Sequence, residues 1–149
     1  MEFIIPEPLE EEHEELHAEL ARITKVGGGI GEAARKVAEI MHPHFIKEEE
    51  YALPPLGLLT PLSKGDFKPE MKDVLQMTDR LKTGLPQMHA EHIAIIDALL
   101  KLADVATKEN KMEFAFFAKK LILHARTEEE VLYPSAILIG EYLKLKFNK

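Results

Sequence analysis

The 149-residue sequence contains no cysteine and no tryptophan. Without cysteine, structural disulfides, Cys-ligated zinc, Cys-ligated iron–sulfur clusters and thiol catalysis are excluded. The formal charge of −7 and the lack of a basic stripe argue against a nucleic-acid partner, since nothing would neutralise phosphates. No apolar run approaches the roughly 20 residues that span a membrane, and the N-terminus lacks the basic segment of a signal peptide. We expect one soluble, cytoplasmic domain over residues 1–149.

Apolar residues recur at helical spacing through almost the whole chain, and no useful length alternates with the period of a strand. The pattern predicts four long helices, at about residues 7–25, 30–52, 69–106 and 108–133. Pro43 should kink or restart the second helix, and Gly84 with Pro86 should kink the third. The proline- and glycine-rich segment 53–68 is predicted to be an ordered connector, and 135–147 a short amphipathic helix. The predicted fold class is all-α: an up-down four-helix bundle with an internal two-fold repeat of helix pairs, plus the short C-terminal helix.

One phrase occurs twice in the chain. HFIKEEEYALPPL begins at His44 and HARTEEEVLYPSA begins at His124, so each copy has a His, three Glu and then a Pro at matching positions. Upstream, His13 precedes His44 by 31 residues and His92 precedes His124 by 32, and both directly follow a Glu. Each half of the chain therefore supplies one lone His and one His-x-x-x-Glu pair.

The repeated residue types are those of a metal site. Residues four apart lie on one face of a helix, so each His-x-x-x-Glu pair directs an imidazole and a carboxylate to the same side. Imidazole suits first-row transition metals, and a carboxylate can bridge two cations while offsetting their charge. A set of hydrogen-bonded core histidines is the alternative. The predicted ligands of a pair of metal ions are His13, His44, Glu48, His92, His124 and Glu128.

These motifs resemble those of the hemerythrin-like (HHE) cation-binding family, and the resemblance covers nearly the whole chain. The motifs are EHEEL at 12–16, HFIKEEEYALPP at 44–55, EHIAI at 91–95 and HARTEEEVLYP at 124–134. The resemblance implies an up-down bundle enclosing a non-haem di-iron centre, with one His from each long helix and with Glu48 and Glu128 as bridges. The Glu-x-x-His pattern of ferritin-like di-iron bundles is not matched.

The chain departs from the oxygen-carrying members of that family, which take a fifth His from a His-x-x-x-His in the third helix. Ile96 occupies that position here. The first helix instead reads His13-x-x-x-His17, so His17 is predicted as a fifth metal ligand on an iron held by the first two helices, with the other iron held by the last two. His89 is a second candidate, and His42 is expected to point away from the site.

The resemblance and the ligand count imply a di-iron protein that binds dioxygen, nitric oxide or another small diatomic molecule for sensing, scavenging or storage. If two carboxylates and a solvent-derived oxygen bridge both irons, two His complete five ligands on each iron and leave one position open. The alternatives are a di-iron enzyme for peroxide or nitric oxide reduction or for iron–sulfur cluster repair, and a structural bundle stabilised by zinc or another divalent ion. Monomer and dimer both agree with the sequence.

Overall fold

The computed structural model describes residues 1–148, and all regular structure in that range is helical. The all-α prediction is confirmed. The α-helices are α1 (Glu7–Ile23), α2 (Gly28–Lys47), α3 (Leu59–Ser63), α4 (Leu75–Lys108), α5 (Met112–Thr127) and α6 (Tyr133–Phe147). Two π-helical segments (Glu48–Ala52 and Glu128–Leu132) and two 3₁₀ segments (Pro54–Leu58 and Pro69–Val74) connect them.

The turn between α1 and α2 explains the glycine-rich sequence at that point. Gly28 has a φ of +73°, which an L side chain rarely adopts. A Cβ atom at Gly31 would lie 1.8 Å from the carbonyl oxygen of Val26. The glycines therefore let α1 and α2 follow each other closely, and a phosphate site is not needed to account for them.

Three predicted helix boundaries are corrected. Pro43 lies inside α2, which continues to Lys47 without a restart. The third long helix begins after a 3₁₀ turn rather than at Pro69. The helical structure also does not end before Pro134, because the π segment leads directly into α6. Pro134 lies in the first turn of α6, where a missing N–H costs little. The prediction of an ordered connector is confirmed, since Leu56 and Leu58 are buried.

Two apolar clusters form the core. The first apolar cluster joins the connected ends of α1 and α2 with those of α4 and α5, and includes Leu20, Val37 and Leu99. The second apolar cluster joins the connector, the N-terminal half of α4 and α6, and includes Leu56 and Leu81. Each fully buried Leu contributes about 1.5–3 kcal/mol to folding, so these clusters stabilise a chain that also buries an unusual polar layer.

That polar layer lies where the two clusters meet. On α1, His13 stands between Leu9 of the second cluster and Leu16 of the first, and on α4, His92 stands between Met88 and Ile95 in the same sense. α4 packs against α2, α5 and α6, and α1 packs against α2. The four long helices are compatible with an up-down bundle. Within residues 1–148, none of the helices combines the length and the hydrophobicity needed to cross a bilayer.

Candidate metal centre

Six buried polar side chains meet between the four long helices, and they are the six ligands predicted from the two repeats. None of them is more than 6% exposed. Burying ionisable groups is costly unless they are paired or coordinate a metal. Such a concentration inside an otherwise apolar core therefore indicates a functional site. Its members are His13, His44, Glu48, His92, His124 and Glu128.

The six side chains form two overlapping groups. In the first group, ligand atoms of His44, Glu48, His92 and Glu128 all lie within 4.8 Å of one another. In the second group, the same is true of His13, His124 and Glu128. Glu128 belongs to both groups, which is the arrangement expected of a residue that bridges two metal ions.

Glu48 and Glu128 each direct one oxygen towards the histidine pair of the first group (His44 and His92) and the other oxygen towards the pair of the second group (His13 and His124). Glu128 Oε1 lies 3.4 Å from His92 Nε2, while Glu128 Oε2 lies 3.4 Å from His13 Nε2 and 3.3 Å from His124 Nε2. Glu48 Oε2 lies 3.7 Å from His44 Nε2, and Glu48 Oε1 lies 3.5 Å from His13 Nε2. Each carboxylate thus presents one oxygen to each histidine pair.

The pairing of the histidines differs from the sequence-based expectation. That expectation put His13 with His44, and His92 with His124. In the structure His44 Nε2 lies 2.9 Å from His92 Nε2, and His13 groups with His124. The two-fold repeat is satisfied by either pairing, so the repeat alone could not decide between them. α4 packs against both α2 and α5, and the side-chain contacts of His92 decide between the pairings by bringing its Nε2 to His44.

A second set of carboxylates, the outer carboxylates, faces the Nδ1 atoms of the same histidines. His44 Nδ1 lies 2.8 Å from Glu91 Oε1, and His92 Nδ1 lies 3.0 Å from Glu129 Oε1. Glu12 accepts a short hydrogen bond from His124 Nδ1. Glu49 Oε1 lies 3.9 Å from His13 Nδ1. An Nδ1–H donated outward leaves the Nε2 lone pair facing inward, as metal ligation requires.

The outer carboxylates obey the same repeat as the ligands. Glu12 and Glu91 directly precede the lone histidines, His13 and His92. Glu49 and Glu129 directly follow Glu48 and Glu128, which we call the inner glutamates. The sequence pattern contained Glu12 and Glu91, but no role was predicted for them. Glu91 is the best anchored of the four: burial alone would raise its pKa, but hydrogen bonds with Lys47, His44 and Gln87 lower the pKa to about 2.

Burial and their mutual proximity shift the pKa values of Glu48 and Glu128 in opposite directions. Burial, and then the charge of Glu128, raises the pKa of Glu48 well above its ordinary value. Burial acts in the same sense on Glu128, but the neighbouring Glu48 carboxyl and three histidines outweigh it and hold the pKa of Glu128 well below its usual range.

The histidines are also perturbed by the site. Burial lowers the pKa of His44, and its hydrogen bond to Glu91 offsets this only in part. For His124 burial acts in the same direction, but the neighbouring carboxylates of Glu128 and Glu12 prevail and raise its pKa.

Two orphaned atoms test whether a metal fits. Glu48 Oε1 and His124 Nε2 are buried and have no hydrogen-bond partner within the described residues. An unsatisfied buried polar atom costs about 1–3 kcal/mol. Both atoms face the centre of the ligand set, so a cation there would satisfy them. The mixed imidazole and carboxylate donors suit a first-row transition metal.

Tyr133 is a site residue that was not predicted. It is fully buried, and its hydroxyl donates a hydrogen bond to Glu48 Oε2 at 2.6 Å. The phenolic oxygen of Tyr133 also lies 3.2 Å from both His44 Nε2 and His92 Nε2. Burial, and then the charges of Glu48 and Glu128, raises the pKa of Tyr133 far above its ordinary value. In the metal-free protein its hydroxyl is therefore a hydrogen-bond donor.

The π-helical segment explains how Tyr133 reaches the site. In an α-helix a residue five positions along lies about 140° around the axis, so Tyr133 would point away from Glu128. Here the backbone N–H of Tyr133 bonds to the carbonyl of Glu128, the five-residue pattern of a π-helix. Leu53 makes the equivalent bond to Glu48 at 2.9 Å. The repeat thus places Leu53 where the other half has Tyr133.

The structure does not bring the predicted fifth histidine to the ligand groups. His17 is exposed, and its ring centroid lies 5.0 Å from that of Phe45 and 6.0 Å from that of His42. Phe45 also contacts His13, at 4.7 Å between ring centroids. His89 and His42 are exposed as well.

Two small cavities adjoin the second ligand group. One of about 130 Å³ is lined by His13, Ile5, Glu14 and Leu53, among others. Another of about 210 Å³ is lined by His124 and Lys120, among others. A larger groove of about 550 Å³ runs between α2 and α4, but none of the six buried ligands lines it. Access to the polar layer is therefore suited to small molecules.

No family model, curated protein or solved structure matches this chain. The assignment of function therefore depends on the geometry of the two buried ligand groups and on the motifs that supply them.

Proposed function

We propose that this protein holds two iron ions in a non-haem di-iron centre and binds dioxygen, nitric oxide or another small diatomic molecule there. The observation that carries the proposal is the division of Glu48 and Glu128, each of which presents one oxygen to each histidine pair. The motif resemblance to hemerythrin-like proteins supports the same conclusion, and it implies that the four long helices form an up-down bundle.

Different residues would bind the two ions and orient the residues that bind them. His44 and His92 would hold one ion, His13 and His124 the other, and the two inner glutamates would bridge them and offset part of their charge. The outer carboxylates fix the imidazole rings with Nε2 inward. The bound irons would supply redox electrons and coordination positions for a small ligand. The surrounding apolar clusters exclude bulk water from it.

The size of the adjoining cavities limits the ligand. Sites for drug-sized molecules occupy about 300–1,000 Å³, whereas the cavities beside His13 and His124 measure about 130 and 210 Å³. A diatomic molecule, peroxide or azide fits such a space, and a larger organic substrate does not. This favours a small inorganic ligand over a metabolite.

Metal analysis and optical spectroscopy together test the proposal. The chain would be produced under iron-replete, anaerobic conditions, and metals would be quantified per chain before and after exposure to dioxygen or nitric oxide. We expect about two irons per chain, one for each ligand group, with spectra that change on exposure. A chain with all six ligands intact that retains no metal refutes the proposal. Retention of zinc alone, without spectral change, identifies a structural bundle.

A di-iron enzyme is the second candidate, and the position of His17 favours it. Because His17 lies outside both ligand groups, each histidine pair supplies the same number of imidazoles. If no other side chain binds either ion, the two positions are equally open, which would suit peroxide or nitric oxide reduction. Sustained consumption of either substrate by the iron-loaded protein with a chemical reductant would identify an enzyme, and a single stoichiometric reaction would identify a binder.

A further inference from the structure

Tyr133 breaks the symmetry of an otherwise two-fold site. The ligands and the outer carboxylates all have an equivalent in the other half of the chain, but Tyr133 corresponds to Leu53. Its hydroxyl lies beside the first ligand group only, against Glu48, His44 and His92. A buried hydroxyl at this place needs an explanation beyond packing, because Leu53 fills the equivalent position without one.

The distances around the Tyr133 oxygen are those of neighbouring ligands. Metal–imidazole bonds of about 2.1 Å place adjacent donors of an octahedron about 3.0 Å apart. His44 Nε2 and His92 Nε2 are separated by 2.9 Å, and the Tyr133 oxygen lies 3.2 Å from each and 2.6 Å from Glu48 Oε2. The oxygen therefore occupies a corner of the same donor set, rather than a site behind it.

We propose that the phenolic oxygen of Tyr133 is a ligand of the metal ion held by His44 and His92. This inference rests on the proposed di-iron centre. In the metal-free structure the phenolic proton lies in the hydrogen bond to Glu48. When the oxygen binds the ion as phenolate, this proton is released to solvent, as is general for metal binding to protonated ligands. No redox change is needed for this step.

The consequence is that the two metal positions differ. With Tyr133 bound, the ion of His44 and His92 has no free position, given two histidines, two carboxylate oxygens and a bridging solvent oxygen. The ion of His13 and His124 lacks such a tyrosine, and the cavity of about 130 Å³ lined by His13 and Leu53 adjoins it. A small exogenous ligand therefore binds on the His13 and His124 side.

The experiment compares the ferric wild-type protein with Tyr133→Phe and with Tyr51→Phe. Tyr51 is a matched control, because it is also buried near an inner glutamate, within the other π segment, but its hydroxyl faces Met88 Sδ at 3.9 Å. We expect wild type and Tyr51→Phe to show a visible tyrosinate-to-iron charge-transfer band with tyrosinate modes in resonance Raman spectra. Tyr133→Phe should lose both while keeping its iron. Azide titration should rise from about one to about two sites per chain in Tyr133→Phe.

Each outcome bears on the inference separately from the function. Iron-loaded wild type without tyrosinate modes, or a Tyr133→Phe spectrum equal to that of wild type, overturns Tyr133 ligation and leaves the di-iron centre standing. Wild type that retains no iron overturns both. If Tyr133→Phe does not fold, the Tyr51→Phe, Tyr142→Phe double variant carrying ring-deuterated tyrosine decides the question, because Tyr133 is then the one tyrosine left in the chain. Its Raman modes must shift on deuteration, and their failure to do so overturns the inference.

Discussion

Replacing Glu128 with glutamine should separate metal binding from folding. Glu128 is the carboxylate common to both ligand groups, and it is 2% exposed. Glutamine keeps its shape but cannot bridge two cations as an anion. It also removes one of two acidic groups that face each other in the core, and its amide can still hydrogen-bond the surrounding imidazoles. The substitution should therefore harm the metal-bound protein far more than the metal-free one.

The magnitude follows from linkage. A metal present at a thousand times its dissociation constant stabilises the folded state by about 4 kcal/mol, and a hundred-fold weaker affinity reduces this to about 1.4 kcal/mol. The loss of about 2.7 kcal/mol corresponds to roughly 5–11 °C in Tm for a chain of this length. Without metal, the exchange of one or two buried hydrogen bonds should change stability by only about 1 kcal/mol.

Thermal unfolding with and without saturating ferrous iron, followed by circular dichroism under anaerobic conditions, measures both quantities. Glu130→Gln is the matched control, because Glu130 lies two residues away on the same segment and is exposed. Its metal-induced rise in Tm should equal that of wild type. The reasoning is refuted if Glu128→Gln keeps the full metal-induced rise, or if Glu130→Gln loses as much of it.

Two further substitutions test the assignment of individual residues. His13→Ala should lose metal from the second ligand group, whereas His17→Ala, one turn further along α1, should leave metal content and spectra unchanged; loss of metal in His17→Ala would restore the predicted fifth ligand. Glu91→Ala should weaken metal binding by about 10–100-fold in a chelator competition, since it releases the His44 ring. Asp97→Ala, an exposed carboxylate on the same helix, should not, and equal effects would indicate a general electrostatic role.

The ligand set could be predicted because the sequence states it twice. A single His-x-x-x-Glu in a glutamate-rich chain is weak, but the second copy, with an equivalent lone His upstream, made the set specific. The structure brings together all six of those residues. The pairing of His44 with His92 could not be predicted, because a two-fold repeat is compatible with either arrangement and the choice depends on tertiary packing.

His17 and Tyr133 show opposite limits of helical periodicity. The four-residue spacing puts His17 on the same face of α1 as His13, but one turn further along, where the ring lies outside against Phe45. Spacing gives the direction of a side chain and not the depth at which the site ends. Tyr133 could not be predicted as a site residue for a different reason. α-Helical spacing from Glu128 would direct its side chain away from the site, and the π segment turns it inward.

The two π segments also account for the form of the repeated phrase. Each begins at an inner glutamate, and the residue that directly follows it has its side chain turned back towards the polar layer: Leu53 in one half and Tyr133 in the other. The same backbone device thus serves two different purposes. Leucine leaves the His13 side as an apolar wall beside a small cavity, and tyrosine adds an oxygen to the His44 side. Repetition alone would supply two equivalent ion positions, and under the proposed function this pair of residues would make the two positions differ.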